Sequence, residues 1–309
     1  MTWLLTRQHR TFGIAIAAVV VAFAVAVVVT GIHMADVYAA AQQCRNGRCL
    51  VVGRLFSGYG AIVDTVHLTI LVPVVFAAFG ATLLARETDA GTNVLVWTQS
   101  ITRRRWLIAK IVFAVVAALV VAAVVAALVT WWSGTPNSLD GNRFQGAEFD
   151  TQNIVPVADA LFAVAIGLAA GAWLRRVVPA LALSIGVYVA VRMLTAVYLR
   201  PRFMAPSTKV VVPDGDAHLP SGSWTLTRRL LDPGGHVVAD GRIAVPRGCS
   251  SAGVRDALGC LAKQGYREQV RFHPASHYWQ FQWTEAAIFA VLAAGLLTFA
   301  YLRTVRNDA

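Results

Sequence analysis

The sequence predicts an all-α polytopic membrane protein, six transmembrane helices with a small disulfide-stabilised α+β extracellular lobe. Three observations carry this. The 309 residues are 57% hydrophobic and 14% charged, with a mean hydropathy of +0.60, whereas a soluble domain needs roughly a quarter charged residues on its surface. Apolar runs near the ~20 residues that cross a ~30 Å hydrocarbon core recur along the chain. Between the last two runs lies the only stretch long enough for an extramembrane fold, residues 200–280.

The elements follow in chain order. Residues 1–11 set Trp3, Leu4 and Leu5 beside Arg7, His9 and Arg10. This is the make-up of an interfacial segment with rings in the acyl boundary and arginines at the headgroups; a disordered cationic tail is the alternative. The spans read Gly13–Ile32, Val66–Ala85, Ile111–Val129, Ile154–Trp173, Val177–Leu199 and Phe281–Leu302. They are helices, because barrel strands alternate and lipid offers no partner to an open backbone. The first reads as a retained anchor, since its apolar stretch outruns the ~7 to 15 residues of a secretory signal core.

Short loops fix the orientation. One side collects Arg7, Arg10, Arg86, Arg103, Arg104, Arg105, Lys110, Arg175, Arg176, Arg303 and Arg306, the other only Arg45, Arg48, Arg54 and Arg143. Positive residues stay inside, and segments beyond ~60 residues cross regardless of charge, so both termini are expected in the cytoplasm. These loops and the long segment account for the net charge of +11. No basic cluster on a soluble face points to nucleic acid.

In the long segment, Trp224, Leu226, Arg228 and Leu230 alternate toward Pro233-Gly234-Gly235, then His236, Val237 and Val238 follow: two strands around a turn. Beyond Cys249, Val254, Leu258 and Leu261 recur on one helical face. All four cysteines lie outside in this topology. Cys44 and Cys49 flank an Asn-Gly turn, and the expected pairing is Cys44 with Cys49 and Cys249 with Cys260, against bridges between the two loops. Their spacing, without paired histidines, does not match a zinc ligand set.

Catalytic constellations are missing from the sequence. It has no His-Glu-x-x-His, no Gly-x-Ser-x-Gly elbow and no phosphate-cradling lysine loop. The connection between spans two and three is instead far richer than a tether. Glu87, Asp89, Gly91 and Thr92 are followed by Val94, Leu95, Trp97, Gln99, Ser100, Arg103, Trp106 and Lys110. Val94, Leu95 and Trp97 suit the docking face of a short helix, with Asp89 and Thr92 near its N-terminal N–H groups. Arg103, Arg104 and Arg105 open the next helix against its dipole, so anionic headgroups or an acidic partner should compensate.

This loop resembles that of the membrane-domain subunit of ABC transporters of the type-2 permease class, exporters of drugs, polyketides, peptides and lipids. The match runs through Glu87, Gly91, Thr92, Gln99, Ser100, Arg103, Trp106 and Lys110, with Gln99 where proline is common. Trp3, Arg7, Gln8, His9, Arg10 and later Pro274, Ala275, Ser276, Trp279, Phe281, Gln282, Trp283 and Glu285 look like actinobacterial permeases with a large outside loop before the sixth span. The resemblance implies a coupling helix within residues 86–106, inserted into a separate ATPase subunit that binds ATP and Mg. It implies residues 12–199 as helices one to five, residues 281–309 as the sixth helix and a cytoplasmic tail, and a second permease half, identical or related. The setting it implies is a bacterial cytoplasmic membrane, with lipids as partners, an amphipathic or hydrophobic cargo and no chemistry in this chain. The rival reading is a non-transporting membrane sensor or immunity protein whose outside lobe binds a ligand.

Two ionisable residues sit inside spans at similar depth from the outer end, Asp159 at about 7 to 8 Å and Arg192 at about 10 Å. They read as an ion pair bridging helices with Arg192 snorkelling outward, the alternative being a polar lining for an outer cavity. Tyr278, Trp279, Phe281 and Trp283, with His273 and His277, read as an interfacial belt. Gly167 and Gly171 leave a groove for close helix packing.

Overall fold

The apolar runs fold as helices in a computed structural model that describes residues 10–43, 66, 68–91, 102–134, 143–144, 146–213, 219–240, 249 and 254–306. Six helices are long and apolar enough to cross a membrane: Gly13–Asp36, Leu68–Asp89, Arg103–Trp132, Val155–Leu174, Val177–Arg202 and Ala275–Arg306. Most of the N-terminal segment, residues 1–9, lies outside the described residues, as do Cys44, Cys49, Thr92, Val94, Leu95, Trp97 and Gln99.

In chain order the helices are α1 (Arg10–Gln43), α2 (Val72–Asp89), α3 (Arg103–Trp132), the short α4 (Gly146–Thr151), α5 (Val155–Leu174) and α6 (Val177–Leu194). Pro73 and Pro156 sit in the first turns of α2 and α5, where a missing N–H costs nothing. α3 begins well before the apolar run because Thr102 is extended and its hydroxyl accepts from Arg105 N at 3.4 Å, a cap that starts the helix in polar sequence. Spacing then sorts its faces. Ala114, Ala118, Ala122 and Ala126 are buried at four-residue intervals, while Val112, Val116, Val120 and Val124 are exposed to the lipid side.

α5 is the centre, packed on α2, α3, α6 and a long C-terminal helix, α8 (Tyr278–Arg306). Small residues make this possible. A Cβ built on Gly167 would stand 2.2 Å from Ala77 O, one on Gly80 2.6 Å from Val164 O, and one on Gly171 2.7 Å from Ala81 O. The backbones of α2 and α5 therefore touch with no side chain between them, as the glycine spacing leads one to expect.

Past α6 the chain runs through a π turn (Thr195–Leu199) and a 3-10 turn (Arg200–Arg202) into a sheet. Strands β1 (Ser207–Val211), β2 (Trp224–Leu231), β3 (Val237–Asp240) and β4 (Arg267–His273) pair in the order β1-β4-β2-β3, all antiparallel. The β2–β3 hairpin turns as the Pro-Gly-Gly segment requires, with Gly235 at φ 84° and His236 N donating to Asp232 Oδ1 at 2.8 Å. That backbone donor holds the Asp232 carboxyl below its usual range. Helix α7 (Val254–Lys263) sets Leu258 and Leu261 against Leu230, and Cys249 and Cys260 are joined with Cα atoms 5.8 Å apart.

The lobe is seated on the bundle by rings. Phe144 stacks between Phe149 and Trp224, and Tyr278 and Phe281 meet it edge-on. The interfacial belt is thereby corrected in part: Trp279 and Trp283 are exposed, but Tyr278, Phe281 and His273 are buried. His273 ends β4 with its ring 4.9 Å from that of Phe281, and burial lowers its pKa.

Candidate functional site

Charged side chains gather at both ends of the bundle, and the two ends are built differently. At the end away from the lobe, α2 finishes on Arg86-Glu87-Thr88-Asp89, and the chain turns at Gly91 with φ 67°, a left-handed conformation that disfavours a Cβ. Glu87 faces into the bundle. Its Oε1 lies 2.6 Å from Lys110 Nζ on α3. Lys110 is 1% exposed; it also donates to Leu83 O at 2.9 Å and stands 4.4 Å from the Trp106 ring centre. Asp89 reaches the other way, its Oδ2 accepting from Val177 N, the first residue of α6, at 3.3 Å. Thr88 Oγ1 adds a bond to Arg175 O at 3.4 Å. Arg103 opens α3, whose first turn carries no acid. The end of α2 is thus tied to the starts of both α3 and α6.

At the lobe end the structure brings Asp159 and Arg192 together, Oδ2 to Nε at 3.0 Å, as an ion contact and not an aligned hydrogen bond. They belong to a larger cluster. Arg192 Nη1 meets Glu285 Oε1 at 2.5 Å, and its other terminal nitrogen meets Asp150. Arg200 donates from Nε to Glu285 Oε2 at 2.8 Å and from Nη2 to Glu285 Oε1 at 2.7 Å and Asp150 Oδ1 at 2.5 Å. Three carboxylates and two guanidiniums are interlocked, all buried, with Arg200 lying 4.3 Å over the Phe149 ring. Arg192 does not snorkel, because three acids surround it at its own depth. Asp159 Oδ1 and the Tyr188 hydroxyl have no hydrogen-bond partner among the described residues.

Helix geometry explains how Arg192 and Arg200 share one site. In a straight α-helix they would lie about 80° apart, but the π turn between them absorbs one residue and reduces the offset to about 20°. Ala180, Ser184, Tyr188 and Arg192 form the buried stripe of α6 that leads to the cluster. Gln282 closes it from α8. Its Oε1 accepts from Val155 N at 3.1 Å, capping α5, and its Nε2 donates to Phe149 O at 3.1 Å.

Sequence reasoning found Asp159 and Arg192 but missed Asp150, Arg200 and Glu285 as their partners. Glu285 carried the same signal as Asp159, an acid inside an apolar run at comparable depth. Asp150 and Arg200 flank runs and looked like loop residues.

A six-span bundle with charged loop ties at one end and a sheet lobe at the other defines a multi-pass membrane protein of the permease type. The chain belongs to the ABC-2 membrane transporter related family, whose model matches residues 17–200. Membership makes it a membrane transport subunit and implies an ATPase partner. No curated protein and no solved structure matches the chain.

Proposed function

We propose that this chain is one permease half of an ATP-driven exporter in a bacterial cytoplasmic membrane, moving an amphipathic or hydrophobic cargo. It works as a homodimer or with a related permease, and separate ATPase subunits bind ATP and Mg. In this reading residues 86–106 lie in the cytoplasm with both termini, and the lobe of residues 200–280 stands outside.

The observation that carries the proposal is the double tie of α2, Glu87 to Lys110 and Asp89 to Val177 N. A push on the loop that follows Gly91 reaches α3 and α6 through these two ties. ATP-driven closure of the ATPases supplies the push, and the permease halves rock to open a path. Thr92, Val94, Leu95, Trp97, Gln99 and Arg103 furnish the surface that the ATPase grips. Export as the direction rests on the resemblance of the loop and of the segment before the sixth helix.

The test is Gly91→Leu and, separately, Trp97→Ala. Both proteins should insert, Gly91→Leu at a cost of about 1–2 kcal/mol for its left-handed backbone, and both should lose ATPase co-purification and transport by tenfold or more, about 1.4 kcal/mol. Wild-type association and transport in both variants defeats the assignment.

A further inference from the structure

Where the π turn of α6 meets the sheet, a cavity of about 830 Å³ opens between them. Its floor is Tyr198, Pro201 and Arg202; its roof is Trp224 and Thr227 of β2 with Arg271 of β4. The register of β2 against β4 shifts between Thr225 and Thr227, and both residues line the cavity.

Three properties of this cavity point to one kind of occupant. The first is charge. Arg202 and Arg271 line it and no acidic residue does. Along β4, Arg267, Gln269 and Arg271 lie on the exposed face, opposite the buried Glu268, Val270 and Phe272, so Arg271 ends a basic face. The second is an unmet donor: the buried Thr227 hydroxyl has no hydrogen-bond partner among the described residues. The third is the mouth. Val197 and Tyr198, 58% and 57% exposed on a membrane-spanning helix, carry an apolar wall from the cavity down into the hydrocarbon. A soluble anion would have no use for that wall, and a neutral hydrocarbon none for the arginines.

We infer that this cavity binds one anionic phospholipid of the leaflet on the lobe side. Its phosphate sits between Arg202 and Arg271 and accepts from the Thr227 hydroxyl, and its acyl chains run along Val197 and Tyr198. The size fits this division. Pockets of about 300–1,000 Å³ hold a drug-sized molecule, which is the headgroup and glycerol end, so the tails must remain in the bilayer. Arg202 spends one N–H on Tyr198 O, and a guanidinium has further donors for a phosphate.

The test uses the full chain in nanodiscs of equal phosphatidylglycerol and phosphatidylcholine, with trace spin-labelled lipid of either kind, and reads the immobilised fraction. The wild type should retain phosphatidylglycerol over phosphatidylcholine. Each arginine near a charged lipid surface contributes about fivefold, so Arg202→Gln and Arg271→Gln should each lower the preference by about that factor and the double variant should abolish it. Arg271→Lys should keep most of it. Equal retention of the two lipids by the wild type overturns the site, whatever the variants do. Unchanged preference in a double variant that unfolds like the wild type also overturns it. Displacement of the labelled phosphatidylglycerol by aqueous glycerol phosphate would show a soluble-phosphate site and sink the lipid assignment. None of these readouts involves the ATPase or transport, so failure here leaves the exporter proposal standing and the converse holds.

Discussion

The two charged ends of the bundle handle the same problem, ions taken out of water, by opposite means. At the loop end one lysine meets one glutamate, and that glutamate is 15% exposed in its side chain. At the lobe end two arginines each meet two or more acids, and Glu285 is fully buried. Desolvation costs several kcal/mol per ion in either place, and only dense pairing offsets it. When the Glu87–Lys110 pair breaks, the carboxylate near the edge can rehydrate, while the buried Lys110 keeps Leu83 O and the Trp106 ring. In the interlocked cluster both partners of every contact are buried, so neither side of a broken contact rehydrates. The loop end therefore has the sparser pairing and the lobe end the denser.

That contrast breaks first at Glu285, which contacts both arginines. Glu285→Gln neutralises the carboxylate that both guanidiniums share and leaves Arg200 with Asp150 alone, and thermal unfolding in detergent should report a loss of about 3–5 kcal/mol. Asp159→Asn should be far milder, about 1 kcal/mol or less, because Asp159 meets Arg192 alone while Arg192 keeps Glu285 and Asp150. Equal losses in the two variants would mean that the cluster is not shared.

Packing offers the next test. Gly167→Ala sets a methyl against Ala77 O and should cost about 1–3 kcal/mol; an unchanged melting temperature would mean that the α2 and α5 backbones are not in contact. At the loop end, Glu87→Gln takes the counter-ion from the buried Lys110 and should cost about 1–3 kcal/mol, yet impair transport more than Asp159→Asn does. If Asp159→Asn is the worse transporter, the loop end is not the moving end.

The smallest effect is a pH dependence. His273 is buried under the sheet with Nε2 3.2 Å from Pro201 O, and burial lowers its pKa from the ordinary 6.5. Below pH 6.5 the unfolded chain takes up a proton that the folded one resists, so stability falls as pH drops through and below that value. His273→Gln should flatten the melting temperature between pH 7 and pH 5, and an equally steep decline in the variant would locate the acid sensitivity elsewhere.

Much of this architecture was legible in the chain because spans are one-dimensional features: an apolar run of the right length needs no knowledge of its neighbours. Depth along a run was enough to bring Asp159 and Arg192 together. What depth alone does not supply is azimuth, and the π turn that swings Arg200 onto the face of Arg192 leaves no mark in composition. The sheet shows the same divide. The β2–β3 hairpin is local and announces itself through Pro233-Gly234-Gly235, whereas β1 pairs with β4 across the whole lobe, Ser207 opposite Phe272. Neither β1 nor β4 reads as a strand, since Arg267–His273 alternates charged and apolar residues only weakly. At the loop end the sequence marked Glu87 as part of a gripping surface, and its turn inward to Lys110 is a tertiary fact.

The glycine contacts of α2 and α5 have a mechanical meaning as well as a packing one. Helices held apart by side chains can slide, because rotamers rearrange as ridges pass over grooves. Backbones in direct contact at Gly80, Gly167 and Gly171 have no such lubricant. α2 and α5 thus meet as one rigid pair, and in the proposed exporter a push on the loop after Gly91 would be carried by α2 into the centre of the molecule.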